Sequence, residues 1–285
     1  MDWWVFLLIG VSSFAIGLVG SVAGVGGGVL FTPLFLALTN LHVDVVRATG
    51  LALAFTTSIV AGRKFLSSET TNLGLVLFSA AALAPTSLLG AATSLYIVKA
   101  LGKTGEAYIR ISLGLIMILA IIVMVMRRTD RQARKPSPLA QRLGLVGSYS
   151  ELGTTAAYGP TNLLIGALLL GAVGFMSGAF GLGGGWAMVP ILSIVMGLPL
   201  RVAAATSVAS IALGEIPGLW RYIKEGALLP EMLSLVVPAA MLGSSIGARL
   251  ALRVKAPVIR YAVIGVLAVA SMQLIQRGLA GLWTG

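Results

Sequence analysis

Glycines set inside apolar sequence are the first chemical signal in this chain. Gly24-Val25-Gly26-Gly27-Gly28 is followed by Pro33, and 157 residues later Gly181-Leu182-Gly183-Gly184-Gly185 is followed by Pro190. Glycine destabilises a helix interior by roughly 1 kcal/mol relative to alanine, so each pattern is expected to interrupt a helix. A bare backbone offers N–H groups to a ligand, and helix N-termini carry a partial positive charge that binds anions. Helices starting at Val29 and Trp186 would aim such termini at the two interruptions, which points to recognition of a small anion. The competing use of the same glycines is close helix packing in a membrane.

Other polar residues in apolar surroundings extend the candidate site. Glu215 interrupts an apolar helix and is a candidate for proton coupling, because carboxylates at membrane depth are costly; the alternative is an interfacial ion pair with Arg221. Arg47 could attract or bind the anion through its planar fork, or anchor at the interface near Asp44. His42, in a polar connector, either reports pH or has no special role. Trp186 either walls the cavity or packs.

These residues need a membrane to hold them. The chain is 58% hydrophobic and 10% charged over 285 residues, against about 25% charged in a typical soluble domain, so an integral membrane protein is expected. With no cysteine and one histidine, disulfides, thiolate nucleophiles and imidazole clusters are excluded. No catalytic, metal or cofactor site is expected, and scattered acids give an intramembrane enzyme little to work with. The formal charge of +11 reads as cytoplasmic loop charge rather than a nucleic-acid footprint.

Residues 3–23 reach the ~20 needed to cross a bilayer and form a retained first span. Residues 29–39 are too short to cross, so a half-helix or re-entrant segment is expected there, with Pro33 in its opening turn. Spans follow at 45–61, 72–98 and 109–126, with a loop between the last two. Arg127, Arg128, Arg131, Arg134, Lys135 and Arg142, with Pro136 and Pro138, mark a solvated basic linker over 127–161, whose part from 143 onward reads as loop or interfacial helix. The second half repeats the plan at 162–180, 186–196, 202–219, 229–250 and 258–273.

At the offset of 157 residues, positions 24–49 match 181–206 at nine of 26 places, and Gly17, Ser87 and Gly90 match Gly174, Ser244 and Gly247. Coincident glycines and prolines in so apolar a chain indicate internal duplication. The expected fold class is an all-α polytopic membrane protein of two homologous repeats, 1–126 and 162–285, with a broken or re-entrant helix at each glycine motif. The positive-inside rule favours inverted repeats, which place Arg63, Lys64, the linker, Arg249, Arg253, Lys255 and Arg260 on the cytoplasmic face. Inverted repeats with matched helix breaks are a transporter design.

The pairs G-V-G-G-G-x4-P with A-T-G-L, and G-L-G-G-G-x4-P with A-A-T-S-V, each with a basic pair after the helix that follows, resemble the TauE/SafE sulfite-exporter family over essentially the whole chain. The resemblance implies transport of sulfite, organosulfonates or similar small anions across the bacterial inner membrane. Carried over by position, it implies a substrate site at Gly24, Gly26, Gly27, Gly28, Pro33 and Thr49, and at Gly181, Gly183, Gly184, Gly185, Pro190, Thr206 and Ser207. Gly50 stands where the family pattern has serine, so the first copy lacks the hydroxyl that Ser207 keeps. The expected partners are a small anion, bilayer lipid and the proton as coupling ion. An anion channel fits the same features, while an assembly component would leave the duplicated glycines unexplained.

Overall fold

In the computed structural model, residues 3–23, 26–39, 41–67, 70–126, 137–151, 154–250 and 256–283 are described. Gly24, Val25, most of the basic linker, Arg253 and Lys255 lie outside them. In chain order the elements are α1 (Trp3–Ala23), α2 (Gly28–Leu38), α3 (Val43–Ser67), α4 (Leu73–Met126), α5 (Pro138–Arg142), β1 (Gly147–Glu151), β2 (Thr154–Tyr158), α6 (Leu163–Phe180), α7 (Gly185–Pro190), α8 (Leu200–Gly214), α9 (Ile216–Lys224), α10 (Pro230–Leu250) and α11 (Ala256–Trp283). Five of the described helices are long and apolar enough to cross a membrane. The chain is an all-α polytopic membrane protein apart from one short hairpin.

That hairpin corrects the reading of residues 143–161. β1 and β2 pair antiparallel, with Gly147 opposite Tyr158 and Glu151 opposite Thr154. The segment carries Tyr149, Thr154, Thr155 and Tyr158, residue types that favour strands, and too few apolar side chains to bind an interfacial helix. Asn72 fastens this region to the start of α4 through its amide, which donates to the carbonyls of Gly144 and Val146 at 3.1 and 2.9 Å.

The loop expected between 99 and 108 is reduced to one residue. Two helical arms of α4 meet at Gly102, which alone leaves the helical region, at φ 54° and ψ −129°. A positive φ is readily reached only by glycine, so one residue turns the chain. After the turn, Gly105 comes against the backbone of Ile97 and Val98.

The core is built by the two halves packing across each other. α1 lies on α10, and α6 lies on the first arm of α4. The close approaches are reciprocal at the repeat offset. Gly17 abuts the carbonyl of Ala240 and Gly174 abuts that of Leu83; Gly90 abuts Phe175 and Gly247 abuts Leu18. In each case, adding 157 to the first-half residue and subtracting 157 from the second-half residue gives the other pair, with the roles of the halves exchanged. Small residues let helix backbones approach this closely in membranes, so the packing use of glycine is real at these helix crossings.

Candidate functional site

The two glycine motifs meet. α1 ends at Ala23 and α2 begins at Gly28, while α6 ends at Phe180 and α7 begins at Gly185. Gly26 (φ 76°), Gly181 (φ 66°) and Gly183 (φ 71°) occupy left-handed backbone that side chains disfavour, which lets the chain turn from one helix into the next. A Cβ on Gly28 would stand 2.7 Å from the carbonyl oxygen of Leu182 and 2.6 Å from that of Gly50. The Thr32 hydroxyl donates to the Gly181 carbonyl at 2.7 Å, so α2 is tied directly to the second motif.

The third residue of each glycine triplet-turn does equivalent work. Gly27 caps α2, its carbonyl accepting from Phe31 N–H at 3.1 Å, and Gly184 caps α7, accepting from Met188 N–H at 3.0 Å. Their own N–H groups point the other way. That of Gly27 donates to the Thr57 hydroxyl at 3.2 Å, and that of Gly184 lies within electrostatic reach of the Glu215 carboxylate. Position 58 in the first half is the equivalent of 215, so a serine in one copy corresponds to an acid in the other, while the acceptor of the Gly27 N–H is its neighbour Thr57.

Glu215 is not the partner of Arg221. Its side chain is completely buried, where α8 gives way to α9 at φ −91° and ψ −7°, and Pro217 prevents the helix from continuing unbroken. Ser87 from α4 donates to Oε2 at 2.7 Å and Ser177 from α6 donates to Oε1 at 2.5 Å. Arg221 instead pairs with Glu225 at 2.7 Å. Its position six residues from Glu215 was a misleading sign of interfacial depth, because the helix break redirects α9.

Arg47 is completely buried within the protein and is held beside Asp44. Nη1 donates to the Ala179 carbonyl at 2.7 Å, Nη2 pairs with the Asp44 carboxylate, and the guanidinium carbon lies 5.8 Å from the centre of the Tyr222 ring. The Tyr222 hydroxyl in turn donates to Gly178 at 2.9 Å. Arg47 thus braces the end of α6, immediately before the second motif, and its Nε has no hydrogen-bond partner among the described residues. Beside this cluster, an open cavity of about 490 Å³ is lined by His42, Asp44, Lys99, Arg221 and Glu225 among others. His42 stands between two acids there, 3.8 Å from Asp44 and 3.4 Å from Glu106.

The remaining candidates separate. Pro33 is buried inside α2, a turn deeper than its opening turn, and Pro190 ends α7 where a widened π-helical turn, Ile191–Val195, begins. Thr49 donates back to Val45 of its own helix at 2.8 Å, whereas Thr206 pairs with Thr71 at 2.6 Å. Ser207, Ser58 and the Trp186 indole nitrogen are buried without a hydrogen-bond partner among the described residues; Ser58 lies beside Gly26, its Oγ 3.7 Å from where a Cβ there would stand. Sequence reasoning missed Thr32, Ser177 and Tyr222, which carry no motif. Ser87 was marked by its match with Ser244, which bonds Ser21 at 2.6 Å and donates to the Thr57 carbonyl at 2.9 Å.

Comparison with known proteins agrees over nearly the full length. The sequence profile of the sulfite exporter TauE/SafE family matches residues 9–274. "Probable membrane transporter protein YunE" of Bacillus subtilis (strain 168) is 26% identical over 284 residues, covering 96% of this chain and 98% of that protein. "Probable membrane transporter protein YdhB" of the same organism is 26% identical over 110 residues, 39% of this chain and 45% of that protein. No solved structure matches. With its long apolar helices and a profile match spanning both glycine motifs, this multi-pass membrane transporter belongs to the sulfite exporter TauE/SafE family.

Proposed function

We propose that the protein is a secondary transporter for a small anion, sulfite or an organosulfonate, acting across the bacterial inner membrane. The substrate site lies between the two glycine motifs, among Gly24, Gly26, Gly27, Gly28, Pro33 and Thr49 and their counterparts Gly181, Gly183, Gly184, Gly185, Pro190, Thr206 and Ser207. The observation that carries this reading is the meeting of the two motifs, Gly28 against Leu182 and Thr32 bonded to Gly181. Buried donors without partners, the Ser58 and Ser207 hydroxyls and the Trp186 indole, are what a desolvated anion needs, because unpaired buried polar groups are otherwise costly.

The halves are inverted repeats around this site, 1–126 and 162–285 joined by the basic linker. Support comes from the charged cavity. His42 precedes α3 and Arg221 lies near the end of α9, yet both line it. The repeat equivalent of Arg221 is Lys64, at the opposite end of α3 from His42, so equivalent helices run in opposite directions. Matched breaks in inverted repeats then give each half a hinge for alternating access.

A thermal-stability screen of purified protein against sulfite, thiosulfate, sulfoacetate and simple carboxylates tests the substrate class. A ligand that binds only the folded state stabilises by about 2.7 kcal/mol at a hundredfold excess over Kd, so the true substrate raises Tm and the others do not. A flat response across all four classes contradicts it.

A further inference from the structure

We propose that Glu215 is a proton-binding site, loaded and unloaded once per transport cycle, which makes the protein a proton–anion cotransporter. The inference rests on the anion-transport reading above and adds the coupling ion to it. A completely buried carboxylate ordinarily has a cation beside it. Glu215 has none in contact among the described residues; the Ser87 and Ser177 hydroxyls are its donors, with the Gly184 N–H in electrostatic reach.

The charged and titratable groups around it can be named element by element. Tyr222 follows on α9, in electrostatic reach of Glu215, Arg47 and Asp44. Arg47 on α3 is engaged by Asp44 and the Ala179 carbonyl. α4 and α6 contribute the hydroxyls of Ser87 and Ser177, and α7 contributes backbone.

This set suits both states of the acid. A hydroxyl donates or accepts, so the ionised carboxylate takes two O–H donors, and the neutral acid gives its proton to one serine while keeping the other bond. The Gly184 N–H, a donor only, stays in electrostatic reach of the group in either state.

Coupling follows from charge. An ionised Glu215 against the second motif repels an incoming anion in a low-dielectric site, and a proton taken from water onto the carboxylate removes that repulsion. Proton and anion therefore each strengthen the other's binding, enter from the same side and leave to the other. Ser58, at the equivalent position in the first half, does not titrate, so one proton site serves both motifs.

The test is transport in proteoliposomes with labelled sulfite and labelled sulfoacetate, measured as counterflow and as accumulation driven by an acid exterior. Wild-type protein is expected to show both for at least one anion. Glu215→Gln, isosteric with the protonated acid, is expected to retain counterflow and lose gradient-driven accumulation at least tenfold. Ser177→Ala, which spares the acid, is expected to move the pH midpoint of accumulation to the alkaline side by about one unit. Wild-type counterflow with no response to the gradient overturns the proton site and leaves the transport reading standing. So does gradient-driven accumulation by Glu215→Gln equal to wild type. If the Gln variant fails to insert, an unmoved midpoint in Ser177→Ala overturns it instead. No counterflow of either anion by wild type contradicts the transport reading itself.

Discussion

The Thr32 hydroxyl occupies the space that a side chain on Gly50 would need. A Cβ at Gly50 would run into Thr32 Oγ1 and stand 2.6 Å from the Gly181 carbonyl oxygen, to which Thr32 donates. The second half carries the reverse arrangement, with Val189 at the position of Thr32 and Ser207 at the position of Gly50. The first copy has therefore moved its hydroxyl from one helix to the facing one.

This relationship gives a first prediction. Gly50→Ser is expected to destabilise the protein by about 1–3 kcal/mol through overpacking, read as a lower Tm in detergent. Thr32→Ala alone is expected to cost about 1 kcal/mol for the lost bond. The double variant stays destabilised, because the Gly181 carbonyl still blocks the serine. Recovery of wild-type Tm in the double variant would show that this carbonyl moves freely.

The motif glycines are expected to differ in tolerance. Gly28→Ala places a methyl 2.6 and 2.7 Å from two backbone carbonyls, whereas Gly184→Ala meets only the side chains of Met188, Val173 and Leu83 at 3.1–3.3 Å. The first should cost about 2–3 kcal/mol and the second less than about 1 kcal/mol. Equal thermal shifts in the two variants would contradict the packing described for Gly28.

Arg47 is expected to resist conservative exchange. Arg47→Lys cannot hold the Ala179 carbonyl and Asp44 together through one planar fork, and Arg47→Met leaves Asp44 without its cation. Breaking a buried pair costs about 3–5 kcal/mol, so Arg47→Met should largely abolish folded protein on size-exclusion chromatography. A well-folded Arg47→Met with unchanged Tm would show that the pair is dispensable.

Topology can be read directly because the chain has no cysteine. Single cysteines at Glu225 and Ser137 are expected to react with an impermeant thiol reagent from opposite faces of the membrane. Labelling of both from one face would replace inversion with a parallel arrangement.

The glycine motifs and the duplication were legible because clustered glycines followed by a proline recur at one fixed offset in apolar sequence. The surroundings of Glu215 and Arg47 were not, since Ser87, Ser177 and Ala179 arrive from helices 128, 38 and 132 residues away. Local spacing misled for one pair and served for the other. Arg221 turns to Glu225 rather than Glu215, whereas Asp44 does stand beside Arg47, whose guanidinium is fully buried. The two arms of α4 read as separate spans in the sequence, but the tightness of the turn between them did not, because a single glycine, Gly102, does the work expected of a loop. The asymmetry between Ser58 and Glu215 follows from the 157-residue offset, but only the structure shows that Glu215 takes the Ser87 and Ser177 hydroxyls while Ser58 bonds none among the described residues.

The most direct test of anion transport at the meeting motifs uses Ser58 and Ser207, whose buried hydroxyls have no hydrogen-bond partner among the described residues. Counterflow of labelled sulfite and sulfoacetate is measured for wild type and for Ser58→Ala/Ser207→Ala. Because neither hydroxyl has a protein partner among the described residues, the double variant should keep its Tm. Its KM for the transported anion should rise about tenfold or more, the worth of a hydrogen bond to a charged group. Unchanged KM in a stable double variant would place the substrate elsewhere.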